Sequence, residues 1–205
     1  MSWYRTHVFP WILDKAMSLP SLASLRQATL AAAEGRVLEV GVGTGLNFPW
    51  YPRTVQQVTA IDVNPGVVER ARHRLSQAPV PVEIEIVDGQ SLPMEDHQFD
   101  TLVLTWTLCS IQDADRALQE FRRVLKPGGR VLFVEHGLAD SPGVVRWQHR
   151  LTPVQKCLAD GCHLNRDITG LLTRNGFDIR QESRFYLSGV PRTHGFMYQG
   201  IAVNG

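Results

Sequence analysis

Three glycines at alternate positions, Gly41, Gly43 and Gly45, follow the apolar run VLEV and are themselves followed by Pro49 and Pro52. Glycine serves where φ is positive or where something lies directly against the backbone, so the spacing points to a tight turn, a binding loop, or both. Glu39 stands just ahead of the loop, and two more acids end short apolar runs, Asp62 in QVTAID and Asp88 in VEIEIVDG. A carboxylate placed like Asp62 can accept both hydroxyl protons of a ribose, with a capping or turn role as the alternative. Asp88 can accept from the amino group of a base while Gly89 lets that base approach; Asp-Gly alone is otherwise a turn signal. His136, after RVLFVE, and His163, in DGCHLNRD, carry imidazoles that titrate near neutral pH and suit proton transfer. Asp160 is a further base candidate, and a hydrogen-bonded structural histidine is the other reading of each imidazole. Trp106, Cys109 and Cys162 fit a pocket wall, since a buried cysteine mostly behaves as a small apolar residue. The cysteines form no CxxC pair, and no metal is expected.

The elements that must carry these residues alternate between strand and helix. Val8 to Ala33 reads as one or two helices broken near Pro20, then come strands at Arg36 to Val40 and Gln57 to Asp62. Asn64 and Pro65 open a helix as N-cap and first-turn proline. Strands follow at Val82 to Asp88 and Phe99 to Trp106, then an amphipathic helix from Ala114 to Leu125, stopped by KPGG. A fifth strand, Arg130 to His136, leads to a helical stretch from Val144 to Ala159. Asn165 is expected to cap a helix that runs through Arg174 and closes at Asn175 and Gly176. Phe177 to Phe185 and Gly195 to Val203 end the chain as strands with no helix between them. The pattern predicts an α/β fold, a mostly parallel doubly wound sheet of seven strands with a C-terminal antiparallel hairpin.

In such sheets ligands lie beyond the carboxyl ends of the strands, where the strand order reverses, and the glycine loop falls there. A dinucleotide loop, G-x-G-x-x-G/A, needs a small residue at its sixth position; here that residue is Leu46. Pro49 and Pro52 also cut short the helix whose N-terminus would hold a pyrophosphate. Ribose and adenine contacts with a phosphate-free tail describe S-adenosylmethionine.

The set formed by E-x-G-x-G-x-G on strand one, acids ending strands two and three, FD opening strand four and LKPGG before strand five resembles the class I S-adenosylmethionine-dependent methyltransferases, over roughly Val37 to His136. The resemblance implies a Rossmann-like fold, S-adenosylmethionine as cofactor and S-adenosylhomocysteine as product. It assigns Glu39, Gly41, Gly43 and Gly45 to the surroundings of the methionine moiety, Asp62 to the ribose, and Asp88 with Gly89 to the adenine. GTGLNFPWYP, LTWTLCSI, FVEHG, CLADGCHLNRDI and HGFMYQGIAV further resemble the animal methyltransferase-like proteins that methylate small alkyl thiols, and their bacterial relatives. That implies S-methylation of a small apolar thiol in a pocket bordered by Trp106, Cys109 and Cys162, with His163, His136 or Asp160 as base. The animal proteins carry a hydrophobic membrane anchor ahead of this region, and this chain is expected to lack it. Bacterial phospholipid N-methyltransferases share VLEVGVGTG, which keeps phosphatidylethanolamine N-methylation, or another small-molecule acceptor, as the alternative. A non-catalytic S-adenosylmethionine-binding protein is the non-enzyme alternative. The Asn/Asp-Pro-Pro-aromatic motif of methyltransferases acting on DNA bases or protein glutamine is replaced by TWTL.

Composition narrows partners and compartment. With 205 residues, 43% hydrophobic and 20% charged, the chain is long enough for one sizeable core. A net charge of +1 without a basic stripe speaks against nucleic acid as a partner. Three cysteines suit a reducing compartment, and the N-terminus, interrupted by Arg5, His7, Asp14 and Lys15, fits neither a signal peptide nor a spanning helix. A cytoplasmic protein is expected, of open oligomeric state. Membrane-surface contact, peripheral in kind, would run through Trp3, Tyr4, Phe9, Trp11 and Ile12, the alternative being a lid or core helix. The expected organisation is a single domain with a helical lid over residues 1–35, a cofactor-binding core over 36–136, and acceptor-side helices with the hairpin over 137–205.

Overall fold

The computed structural model describes residues 3–205, so the first two residues of the expected lid lie outside the described residues. A helical stretch, Tyr4–Val8, runs into α1 (Phe9–Met17) and α2 (Pro20–Leu30), the two helices meeting at Pro20. Proline at the first position of a helix costs no hydrogen bond, and it bars continuation of the helix before it. Then follow β1 (Gly35–Val40), β2 (Val55–Asp62), α3 (Pro65–Arg72), β3 (Val82–Ile86), β4 (Phe99–Thr105), α4 (Ala114–Val124), β5 (Leu125–His136), α5 (Pro142–Leu158), α6 (Ile168–Arg174), β6 (Phe177–Tyr186) and β7 (Phe196–Asn204).

One seven-stranded sheet, ordered β3-β2-β1-β4-β5-β7-β6, holds all the strands. The pairs from β3 to β5 are parallel, and β7 lies antiparallel to both β5 and β6. The order reverses between β1 and β4, which opens the crevice beyond their carboxyl ends. Side-chain alternation along the strands serves two cores. Leu38, Leu102, Leu104 and Phe133 pack with Leu118, Phe121, Leu171 and Leu172 of α4 and α6. Val37, Val103 and Leu132 pack on the other face with Leu30 and Ala33 near α2 and with Val68 and Ala71 of α3.

Helix boundaries follow the caps. Asn64 Oδ1 accepts from the N–H of Gly66 at 2.9 Å, and Asp113 Oδ1 accepts from that of Arg116 at 3.0 Å. Two expectations need correction. α6 is capped by Asp167, whose Oδ1 accepts from the Gly170 N–H at 3.1 Å, whereas Asn165 is occupied with Thr152 Oγ1 and His149 Nδ1. Asp167 stands directly before the first helical residue, where a carboxylate reaches the free N–H groups. KPGG does not follow α4 as a separate stop, because the ladder of β5 already begins at Leu125 and runs through it.

Candidate active site

Each glycine of the loop after β1 answers a different constraint. Gly41 has φ of +73°, and a Cβ there would lie 2.3 Å from Thr107 Oγ1, so the turn leaves β1 by passing hard against the segment after β4. Gly43, with φ of +54°, faces open space: a Cβ would meet nothing nearer than the Gly41 carbonyl at 3.9 Å and Leu13 at 4.0 Å. Gly45 serves packing, since a Cβ would meet Phe48 at 2.8 Å and the Ala71 backbone at 3.1 Å. Only a 3₁₀ turn, Phe48–Trp50, follows the loop, with Pro49 inside it. A full helix N-terminus suited to pyrophosphate is thus absent at the loop.

The loop borders a cavity of about 920 Å³ at the carboxyl ends of the parallel strands, lined among others by Gly41, Gly43, Asp62, Asp88 and Gly89. Asp62 Oδ2 accepts from the N–H of Gly43 at 3.0 Å and Oδ1 from that of Asn64 at 3.0 Å, which joins the loop to the end of β2. Burial pushes this carboxyl up to about 6 against those hydrogen bonds. A carboxylate oxygen accepts more than one hydrogen bond, so both oxygens keep capacity for ligand hydroxyls. Asp88 is exposed at the cavity edge and is folded into a turn, with Gln90 donating to it from backbone and side chain. Glu39 stands elsewhere. Its odd position in β1 directs it to the α2/α3 face, where Asn47 Nδ2 donates to Oε1 at 2.8 Å and Tyr51 O–H donates to Oε2 at 2.7 Å. Burial pushes its carboxyl up to about 7 despite those donors. It braces the loop from behind and does not line the cavity.

Trp106, Cys109, His136, Asp160 and Cys162 line the same cavity, and the Asp160 charge reaches Asp62. Trp106 carries φ of +54°, rare for a bulky residue; its N–H is held by the Val134 carbonyl at 2.8 Å. Buried Glu135 accepts from the N–H groups of Thr107 at 2.7 Å and Leu108 at 2.9 Å, and this fixes the turn that presents Cys109. His136 Nε2 lies 3.0 Å from Cys162 Sγ. His163 is behind the wall: its backbone N–H donates to the Cys109 carbonyl at 2.8 Å and its Nδ1 lies 3.1 Å from the same oxygen. Burial and the charge of Arg166 hold its imidazole below the ordinary range.

A family model described as a methyltransferase domain matches residues 38–133. The thiol S-methyltransferase TMT1B of Rattus norvegicus is 38% identical over 139 residues, 65% of this chain and 56% of that protein, so the chain spans little more than half of that relative's length. The phosphatidylethanolamine N-methyltransferase of Cereibacter sphaeroides is 37% identical over 160 residues, 77% of this chain and 74% of that protein. Among solved structures, a SAM dependent methyltransferase from Aquifex aeolicus shares the fold with a TM-score of 0.66 at 18% identity, over 96% of this chain and 98% of that one. The chain belongs to the S-adenosylmethionine-dependent methyltransferases.

The cofactor of that family, S-adenosylmethionine, carries no phosphate, which suits the short turn after the loop. Of the residues expected at a methyltransferase site, Gly41, Gly43, Asp62, Asp88, Gly89, Trp106, Cys109, His136, Asp160 and Cys162 come together on one cavity, while Glu39, Gly45 and His163 support it from outside. Sequence reasoning missed Arg26, Asp14 and Arg74. Arg26 is buried in α2 with its guanidinium 4.7 Å from the Trp106 ring, and burial lowers it to about 10 while the Glu39 charge opposes that. Asp14 of α1 accepts from Thr44 Oγ1 at 2.6 Å and pairs with Arg74 at 2.9 Å, and Arg74 donates to the Thr44 carbonyl at 2.7 Å. This clasp joins α1 to the glycine loop. A charge on an amphipathic helix reads as solvated face until the helix is docked, so no signal in the sequence marks it.

Proposed function

We propose that this methyltransferase moves the methyl group of S-adenosylmethionine to the sulfur of a small, largely apolar thiol. The observation that carries the reading is the make-up of the cavity wall, where Trp106, Leu187, Val190 and Met197 stand with two cysteines and two histidines, His136 and His194. The similarity to a thiol S-methyltransferase supports it. A thiol loses its proton with a pKa of roughly 8.5, so a soft acceptor needs far less help from a base than an ammonium does. The thiolate sulfur forms a bond to the methyl carbon in line with the sulfonium; the carbon–sulfonium bond breaks and its electron pair stays on S-adenosylhomocysteine. The protein's part is alignment and exclusion of water. Among the base candidates, His136 and Asp160 line the cavity and His163 stands behind its wall.

In the same reading Asp62 receives the ribose hydroxyls, Asp88 and Gly89 border the adenine, and Arg26 offers a buried cation to the cofactor carboxylate. Residues from Tyr4 to Met17 act as a lid. Tyr4, Phe9, Leu13, Ala16 and Met17 turn toward the cavity, Tyr4 O–H reaches the Leu158 carbonyl at 3.2 Å, and the Asp14 clasp anchors the helix.

A second reading, phosphatidylethanolamine N-methylation, is favoured by the larger share of that relative which the chain covers. Exposed Trp3 and Trp11, 71% and 50% accessible, would suit a lipid surface. No helix among the described residues is long and apolar enough to cross a membrane. Labelled S-adenosylmethionine offered with small alkyl thiols and, separately, with phosphatidylethanolamine vesicles tests the assignment. Label in the thioether is expected; label in lipid and in no thiol assigns the second reading.

A further inference from the structure

Cys109, His136 and Cys162 come from three different segments, yet their ligating atoms all lie within 4.8 Å of one another on the wall of the cavity. Two soft thiol sulfurs and an imidazole are a donor set for zinc-class ions. A catalytic zinc site takes three protein ligands and leaves a fourth position open. Ligand atoms around one tetrahedral ion stand roughly 3.5 to 4 Å apart at ordinary Zn–S and Zn–N lengths, so closing the set needs side-chain shifts of about 1 Å.

The surroundings prepare these residues as a unit. Glu135 fixes the backbone before Cys109, and the N–H of His163 donates to the Cys109 carbonyl, joining the Cys109 turn to the residue after Cys162. Arg166 donates to the Leu108 carbonyl and to that of Ile111 at 2.8 Å, closing the frame from a third side. Glu135, Arg166 and the imidazole of His194 are the titratable groups outside the cluster that face His136. The two nitrogens of the His136 ring have different surroundings. Its Nδ1 is buried with no hydrogen-bond partner, and its Nε2 faces only the Cys162 sulfur at 3.0 Å. A thiol contact is a weak partner for a ring nitrogen, and a metal bond at Nε2 is far stronger than that contact.

We propose that Cys109, His136 and Cys162 bind a zinc-class divalent ion whose open position faces the cavity and receives the acceptor thiolate. The second half rests on the thiol reading above; the first does not. A coordinated thiol is deprotonated outright. The acceptor R–SH therefore gives its proton to solvent as the metal–sulfur bond forms. The bound sulfur then attacks the methyl carbon, the carbon–sulfonium bond breaks toward S-adenosylhomocysteine, and the resulting thioether, a weaker ligand than a thiolate, leaves the ion. No oxidant or reductant enters. His136 is a ligand in this scheme, and no side-chain base is needed.

The test uses the whole chain, kept reduced, stripped with a chelator and titrated with Co²⁺. One equivalent is expected to bring the visible bands of tetrahedral cobalt and near-ultraviolet thiolate-to-cobalt charge transfer. Both should be lost in Cys109→Ser and in Cys162→Ser and kept in Cys157→Ser, which alters the exposed cysteine of α5. Retained binding of S-adenosylhomocysteine shows that each variant is folded. Absence of the bands in the parent, or their survival in both cluster variants, overturns the metal site. Adding a small alkyl thiol should then shift the visible bands, and Zn²⁺ should restore thiol methylation to stripped protein. Cobalt bands that do not respond to thiol overturn the open position and leave the metal site standing. Bands that respond to thiol, in a protein that methylates none, support the site and overturn the thiol acceptor reading instead.

Discussion

At the scale of single residues, Asp62 and the glycines before it show how one loop divides its work. With both carboxylate oxygens already holding backbone N–H groups, Asp62 is oriented before any ligand arrives, and hydrogen bonds to a charged acceptor are worth about 1.5 to 3 kcal/mol. Asp62→Ala is expected to weaken S-adenosylhomocysteine binding by about that amount in calorimetry, in a protein that stays folded; unchanged affinity would remove Asp62 from the site. The same carboxyl is pushed up to about 6 by burial. The charged form accepts hydroxyl protons, so binding to the parent protein should weaken as pH falls through 6 and level off above it, a dependence that Asp62→Ala abolishes. Gly43 and Gly41 separate binding from folding. Alanine at either positive φ costs roughly 1 to 2 kcal/mol, but only at Gly41 does the new methyl strike Thr107. Gly41→Ala should lower the melting temperature much more than Gly43→Ala, while Gly43→Ala, whose methyl enters the cavity, should reduce cofactor affinity beyond its effect on stability.

At the scale of elements, the proposed lid α1 can be tested through its anchors. Its contact with the core runs through Phe9 and Pro10, both buried, and through the Asp14 clasp to Thr44 and Arg74. Burial acts to raise the Asp14 carboxyl, but the Arg74 and Thr44 hydrogen bonds outweigh it and hold Asp14 below the usual carboxylate range. The clasp therefore stays charged at neutral pH. Deleting residues 1–20 should leave the sheet intact by circular dichroism and abolish methyl transfer. Asp14→Ala, which keeps the helix and opens the clasp, should weaken cofactor binding several-fold, whereas added salt should weaken binding to the parent only slightly, because the pair is largely shielded from solvent. Full turnover by the truncated chain would show that α1 is no lid.

At the scale of the whole molecule, ligand and fold are coupled because the cavity is assembled from segments far apart in the chain, from α1 to β7. A ligand that binds only the folded state stabilises it by about 2.7 kcal/mol at one hundred times its Kd. For a chain of this size that is a rise of about 5 to 10 °C in melting temperature. S-adenosylhomocysteine should produce that rise and NAD none, since the 3₁₀ turn after Gly45 offers no helix N-terminus to a pyrophosphate. A shift with NAD in place of S-adenosylhomocysteine would contradict the cofactor assignment.

The alternation of strands and helices, the capping of α3 by Asn64, the positions of Asp62 and Asp88 and the phosphate-free character of the loop were all legible in the sequence. Each is set by neighbours within a few residues: apolar period, cap chemistry, the size of Leu46, the prolines after it. Where sequence reasoning went astray, a longer-range choice had intervened. Asn165 and Asp167 are both good caps by type, and only the docking of α5 beside the segment draws Asn165 to Thr152 and His149 and leaves Asp167 to α6. Glu39 is a different case: its place in the loop motif was legible, but its partners Asn47 and Tyr51, which it holds on the α2/α3 side of the sheet, were not. The grouping of Cys109, His136 and Cys162 had no local signature at all, because the three stand 26 or more residues apart and meet only where β4, β5 and the segment after α5 end at one place. Local chemistry chose the elements; the order of strands in the sheet, which depends on contacts between distant segments, chose which side chains share the cavity.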